Sequence, residues 1–160
     1  MFEDWLHAVR RNHGLEHATV SVLLSRHGAS RMAARATSDG FFVISEHDPE
    51  DLTACAREAL RRMQAGQRSL AVSPMCGTNL AVTGMLTAAA TAAAIRRGPL
   101  SRRLPNAVVA AMIAALASPV VGRLLQRHVT TQSDVDGMQV VGTRRVIGPL
   151  KKVQTSGARG

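Results

Sequence analysis

From Ser69 to Ile95 the chain carries no charged residue, and from Leu104 to Gly122 it carries none again. No other feature limits the fold so strongly. A helix without a polar face belongs inside a protein core or inside a bilayer. The first run predicts a helix over 78–95, starting near Thr78 or Asn79. The second predicts one from Asn106 to about Arg127. Each is close to the ~20 residues that a tilted membrane crossing needs. Small residues recur every four positions, as Gly84, Ala88 and Ala92 in the first run and Ala110, Ala114, Ser118 and Gly122 in the second. That spacing lets helices approach closely in lipid. Pro119 predicts a kink in the second helix. The alternative is a soluble hairpin buried under a domain, and the missing polar face on both runs speaks against it.

Charge placement supports the membrane reading. The formal charge is +9 in 160 residues. The excess sits in Arg96, Arg97, Arg102, Arg103, Arg123 and Arg127, which bracket the uncharged runs, and in Arg144, Arg145, Lys151 and Lys152 of the tail. Bases in those places suit anionic lipid headgroups. The expected partner is therefore a lipid bilayer rather than nucleic acid, with room for a homo-oligomer. The positive-inside rule would keep the Arg96–Arg103 loop in the cytoplasm. Exporting a folded module is harder than exporting four arginines, however, so the N-terminal domain is expected to be cytoplasmic. No apolar stretch follows Glu3, Asp4 and Trp5, so no signal peptide is expected. Cys55 and Cys76 form no C-x-x-C pair and imply no disulfide framework.

The rest of the chain reads as a small α+β domain. Residues 4–27 predict an amphipathic helix, capped by Asp4 and ended at Gly28. Residues 31–36 and 41–45 predict a strand hairpin turned at Ser38-Asp39-Gly40. Asp48-Pro49-Glu50-Asp51 opens a second helix with Leu52, Ala56, Ala59, Leu60 and Met63 on its apolar stripe. Leu70-Ala71-Val72 predicts a third strand. The expected order is thus an α-β-β-α-β domain over 1–77 and an antiparallel transmembrane hairpin over 78–127. A β-containing tail over 128–150 packs on the first domain, with strands in 138–147, and 151–160 is disordered.

Chemistry concentrates in Asn12-His13-Gly14-Leu15-Glu16-His17. Histidines four apart share one helix face, and Glu16 joins them. This H-x-x-E-H pattern inverts the H-E-x-x-H zinc motif. His13 and His17 are expected to hold zinc, and Glu16 to take a proton from a metal-bound water. On a helical wheel His13, Glu16 and His17 share a stripe with Leu6, Val9, Val20 and Leu24, while Arg11, Ala18, Val22 and Arg26 point away. The stripe would face the core, where imidazoles and a carboxylate need partners or a metal. Two histidines leave a zinc site incomplete. An antiparallel hairpin brings its two open ends together, so Cys76 and His128 are the candidate further ligands, with Glu46 and Glu50 behind them.

Two resemblances add to this reading. Asn12-His13-Gly14-Leu15-Glu16-His17-Ala18-Thr19 and Pro74-Met75-Cys76-Gly77-Thr78-Asn79-Leu80, followed by a hydrophobic hairpin and Arg127-His128-Val129-Thr130-Thr131, resemble a family of small bacterial membrane proteins catalogued as a domain of unknown function. That resemblance implies a multi-pass protein of the bacterial inner membrane and no established activity. His13 to His17 is also similar to the motif of inverzincin metallopeptidases. Those enzymes add a downstream glutamate ligand, for which Glu46, Glu50 and Glu58 are available. The expected function is a membrane-anchored zinc-dependent hydrolase, metallopeptidase-like, acting on a peptide or small molecule. The alternative is a non-catalytic membrane protein whose His/Glu cluster is a structural metal site or a hydrogen-bonded core.

Overall fold

Helical and strand periodicities alternate along the chain, and the computed structural model, which describes residues 1–96 and 99–158, realises both. Arg97 of the arginine-rich loop and the last two residues of the tail lie outside the described residues. The elements are α1 (Phe2–His27), β1 (Ala33–Thr37), β2 (Gly40–Ile44), α2 (Pro49–Gln64), a 3-10 turn (Arg68–Ala71), α3 (Gly77–Ile95), α4 (Leu100–Leu125), a π-turn (Gln126–Thr130), β3 (Gln139–Ile147) and β4 (Leu150–Ser156). They form two units. One joins Met1–Ser73 with Thr130–Gly160, and the other is Pro74–Val129.

The first unit is α+β. Its four-stranded antiparallel sheet has the order β1-β2-β4-β3. Phe41 pairs with Val153 and Val43 with Lys151, so these side chains share the sheet face turned to the helices. Phe41, Val43 and Val153 bury there with Leu15, Leu23, Leu52, Ala59 and Met63 of the two helices. Asp48 precedes α2 and Pro49 occupies its first turn, as the sequence predicts.

The tail differs most from expectation. Residues 150–156 are a central strand of the sheet, not a disordered end. The two lysines that look like solvated charges are both buried. Lys151 Nζ donates to the Ser45 carbonyl at 2.6 Å. Lys152, facing the other way, reaches the Asp39 carboxylate at 2.8 Å and lies over the Phe42 ring, 4.3 Å from its centroid. Their aliphatic stems pack while their ammonium ends find oxygen. Leu70-Ala71-Val72 is correspondingly not a strand. The chain turns there, with the Leu70 amide donating to Gln67 and the Val72 amide to Ser69. The strand that pairs with β2 is β4 instead.

Helix α1 also presents a different face to the core. Ala8, Arg11, Leu15, Ala18 and Val22 are buried, whereas Leu6 is exposed. The wheel assignment fails at Arg11, because a guanidinium turns inward when carbonyls meet it. Arg11 donates to the backbone carbonyls of Asp134 (2.9 Å), Gly157 (3.1 Å) and Asp136. The helix also starts earlier than expected, with Met1 rather than Asp4 at its N-cap.

The second unit is the hairpin of α3 and α4. Thr83 Oγ1 and Ser118 Oγ lie 2.6 Å apart, and Gln126 Nε2 donates to Asn79 Oδ1 at 2.9 Å, so the helices run antiparallel. Gly122 allows the approach: a Cβ there would sit 2.0 Å from Asn79 Oδ1. The stripe containing Ser118 and Gly122 therefore does line the seam. The Gly84-Ala88-Ala92 stripe does not; it is exposed, and space around Gly84 is open. The seam of α3 uses Asn79, Val82 and Thr83 instead, because polar hydroxyl and amide pairs fix the register. Both helices are long and apolar enough to span a membrane. Their large apolar side chains stay outside: Leu80, Met85, Met112, Ile113 and Leu116 are each at least 60% exposed.

Candidate metal centre

Each residue of the α1 motif has a packing reason. Asn12 is fully buried. Its Nδ2 donates to the Thr37 carbonyl at 3.0 Å, and its Oδ1 accepts from Thr155 Oγ1 at 2.7 Å, which clamps β1 and β4 to the helix. Gly14 gives room for the chain entering β3. A Cβ at Gly14 would stand 2.3 Å from the Gln132 carbonyl oxygen, and the Gln132 amide donates to Arg10 O at 3.0 Å. Leu15 and Ala18 enter the core, and Thr19 Oγ1 returns to Leu15 O.

The two imidazoles stand together, with ring centroids 4.4 Å apart and planes inclined at 63°. His17 Nδ1 lies 2.8 Å from Ala71 O, and His13 Nδ1 lies 2.9 Å from Thr130 O. A carbonyl accepts only, so both Nδ1 atoms carry hydrogen. In the neutral tautomer that leaves the lone pair on Nε2 of each ring. A backbone carbonyl behind Nδ1 is the orientation that metal-binding histidines commonly have. Glu16, between the two rings in sequence, is 7% exposed. Two fixed imidazoles and a buried carboxylate on one helix can bind a borderline-soft cation and accept a proton beside it.

The other predicted ligands lie in the second unit. Cys76 is the N-cap of α3, and its Sγ accepts from the Thr78 amide at 3.4 Å. His128 lies in the π-turn after α4. The Asn79–Gln126 bond places both at the open end of the hairpin, as the antiparallel arrangement requires. Cys76 and Asn79 also line a cavity of about 470 Å³ with Ser118, Pro119 and Arg123. Among the outer acids, Glu46 and Glu50 are exposed. Glu58 is held by Arg62 Nε at 2.7 Å and by Arg61, and these guanidiniums keep its carboxyl below the usual range.

Sequence reasoning missed Arg11, Asn12 and Gly14 as the residues that position this helix. Gly14 carries the one local signal, a glycine in mid-helix where alanine would be about 1 kcal/mol better.

The chain matches the family described as Domain of unknown function (DUF6391) over residues 8–143. It is also 33% identical over 135 residues to an uncharacterized protein of Picosynechococcus sp. (strain ATCC 27264 / PCC 7002 / PR-6). That alignment takes in 77% of this chain and 65% of the relative, so the chain spans just under two thirds of the relative's length. No solved structure matches.

Proposed function

Since the chain belongs to the DUF6391 family of unknown function, which brings no activity with it, we propose from its residues a membrane-anchored, zinc-dependent hydrolase, metallopeptidase-like, with its centre on α1. The observation that carries this reading is the pair of Nδ1 bonds to Ala71 and Thr130, which in the neutral tautomer puts the lone pair of His17 and of His13 on Nε2, the atom that a metal would take. Bound zinc would lower the pKa of a coordinated water toward neutrality. Glu16 would serve as the general base for hydrolysis of a peptide or small-molecule substrate, holding a proton beside the metal and passing it to the leaving group.

The remaining ligand comes from Cys76 or His128. Both follow from the chain's path: Ala71, held by His17, is five residues before Cys76, and Thr130, held by His13, is two residues after His128. The protein is further proposed to cross the bacterial inner membrane twice, with the first unit cytoplasmic and the flanking arginines at anionic headgroups. Only 6% and 11% of the two most apolar helical windows is buried, which favours lipid around them.

The same bonds favour a second, non-catalytic reading. They fasten the two segments that lead into and out of the hairpin, a task that a structural metal or a hydrogen-bonded cluster also serves. Metal analysis of detergent-purified protein, with the His13→Ala, His17→Ala double variant as control, tests zinc binding. Glu16→Gln separates the two readings. Retained metal with lost hydrolysis supports the base role, whereas unchanged hydrolysis excludes it. Loss of metal from Cys76→Ser or His128→Ala identifies the further ligand.

A further inference from the structure

A second group of metal-ligating side chains sits at the other end of α1 and has no part in the site above. His27 is the last residue of α1, His47 lies in the loop after β2, and Asp51 is in the first turn of α2. His27 Nε2 is 2.8 Å from Asp51 Oδ2, and His47 Nδ1 is 3.7 Å from the same oxygen. One donor atom from each residue lies within 4.8 Å of the other two. The His27 and His47 rings are 4.8 Å apart by centroid. All three side chains are partly exposed, at 35%, 17% and 27%.

The outer contacts divide the carboxylate neatly. Oδ2 faces the two imidazoles. Oδ1 faces Arg26 Nη1 at 3.6 Å and the Cys55 thiol at 3.9 Å. Behind His47, Nε2 meets Ser30 Oγ at 3.2 Å. When Nε2–H donates to that hydroxyl, the lone pair of His47 sits on Nδ1 and points at a carboxylate oxygen. In that tautomer a lone pair on Nδ1 and a carboxylate oxygen face each other at 3.7 Å, an arrangement that a cation or a proton between them satisfies.

We propose that His27 Nε2, His47 Nδ1 and Asp51 Oδ2 form a second, solvent-accessible site for a divalent transition-metal ion of the zinc type. The donor set selects the ion: two imidazoles with one carboxylate suit zinc and its first-row neighbours, whereas magnesium and calcium prefer oxygen alone. Donors bonded to one tetrahedral ion at about 2.0–2.2 Å lie about 3.3–3.5 Å apart. The observed 2.8 and 3.7 Å to Asp51 Oδ2 bracket that spacing and the two ring nitrogens lie within 4.8 Å of each other, so side-chain adjustment of roughly an ångström admits the ion. Asp51 Oδ1 stays with Arg26, which leaves a one-oxygen carboxylate ligand and at least one coordination position for water.

Cobalt(II) titration of tag-free, chelator-stripped protein in detergent, followed by visible absorbance, tests the proposal. In the His13→Ala, His17→Ala background the protein should bind one equivalent of cobalt displaceable by zinc. His47→Gln, a change at a surface loop, and Asp51→Asn should each weaken that binding at least tenfold while circular dichroism stays unchanged. If the double background does not fold, the same two substitutions in the wild-type chain should lower the stoichiometry by one equivalent. Cobalt binding that survives both His47→Gln and Asp51→Asn, or a folded double background that binds none, overturns the second site. Neither outcome bears on whether His13 and His17 hold zinc.

Discussion

Gly14→Ala is the sharpest test of how the α1 motif holds the chain together. The added methyl gains about 1 kcal/mol of helix propensity. It also stands 2.3 Å from the Gln132 carbonyl oxygen, well inside ordinary contact, and 3.3 Å from the Ala71 side chain. The 130–132 segment must then lift from the helix. That movement breaks the Gln132 amide bond to Arg10 O and the His13 Nδ1 bond to Thr130 O. Two hydrogen bonds contribute about 1 kcal/mol each, and overpacking costs a further ~1–3 kcal/mol. The net loss is ~2–4 kcal/mol, or a fall in Tm of roughly 10–25 °C for a unit of about 100 residues. Circular dichroism melting in detergent reads the shift, and hydrogen exchange at the Gln132 amide reads its local origin. Gly84→Ala, where the space is open, serves as the control and should change stability by less than about 1 kcal/mol. An unchanged or raised Tm for Gly14→Ala, with the Gln132 amide still protected, would refute the close-approach argument.

Arg11→Ala leaves the carbonyls of Asp134, Asp136 and Gly157 without their buried donor, which costs ~2–4 kcal/mol and should expose the chain after residue 132 to limited proteolysis; a digestion pattern like that of wild type would count against the clamp. Asp39 gives a pH signature. The Lys152 ammonium, and then the Thr37 hydroxyl, hold its carboxyl below the ordinary value of 3.8. A depressed folded pKa contributes stability that is complete above the unfolded value and is lost as pH falls through the folded one. Asp39→Asn should therefore lower stability at pH 7 by about 1 kcal/mol, discounted because the carboxylate is largely exposed, and the gap to wild type should close in acid. A gap that stays constant from pH 7 to pH 3 would remove the ion pair as its cause. In the hairpin, Ser118→Ala removes the partner of Thr83 and should weaken helix association by about 0.6 kcal/mol, read as a small drop in the melting temperature of α3 and α4.

Much of the architecture is legible locally, and the exceptions share one physical origin. The uncharged runs, the Pro49 start of α2 and the Ser38-Asp39-Gly40 turn declare themselves within a few residues. Arg11 does not, because the carbonyls that draw it inward lie 123 or more residues away. Lys151 and Lys152 mislead in the same way: an ammonium group looks solvated until Ser45 O and Asp39 are placed beside it. The H-x-x-E-H spacing announces that the histidines share a helix face. It says nothing of the carbonyls of Ala71 and Thr130, which fix the tautomers. The second histidine group was illegible for a related reason, since the fold assembles it from a helix end, a loop and the start of another helix.

The sheet is interrupted in the gene order by the hairpin, and this sets an order of events during synthesis. Asn12 and Thr155, joined by one hydrogen bond, are 143 residues apart. At ~5–20 residues per second, β2 waits roughly 5–20 s for β4 after leaving the ribosome. Through that interval the Gly40–Ile44 edge, with Phe41 and Phe42, has no strand beside it on that side, which makes it the point where a chaperone or a wrong strand would bind. The interruption also imposes parity. For a chain that enters a bilayer, β2 and β4 meet only when the number of crossings between them is even. In such a chain, a molecule with only one of the two helices inserted would have the two halves of its sheet on opposite sides of the bilayer.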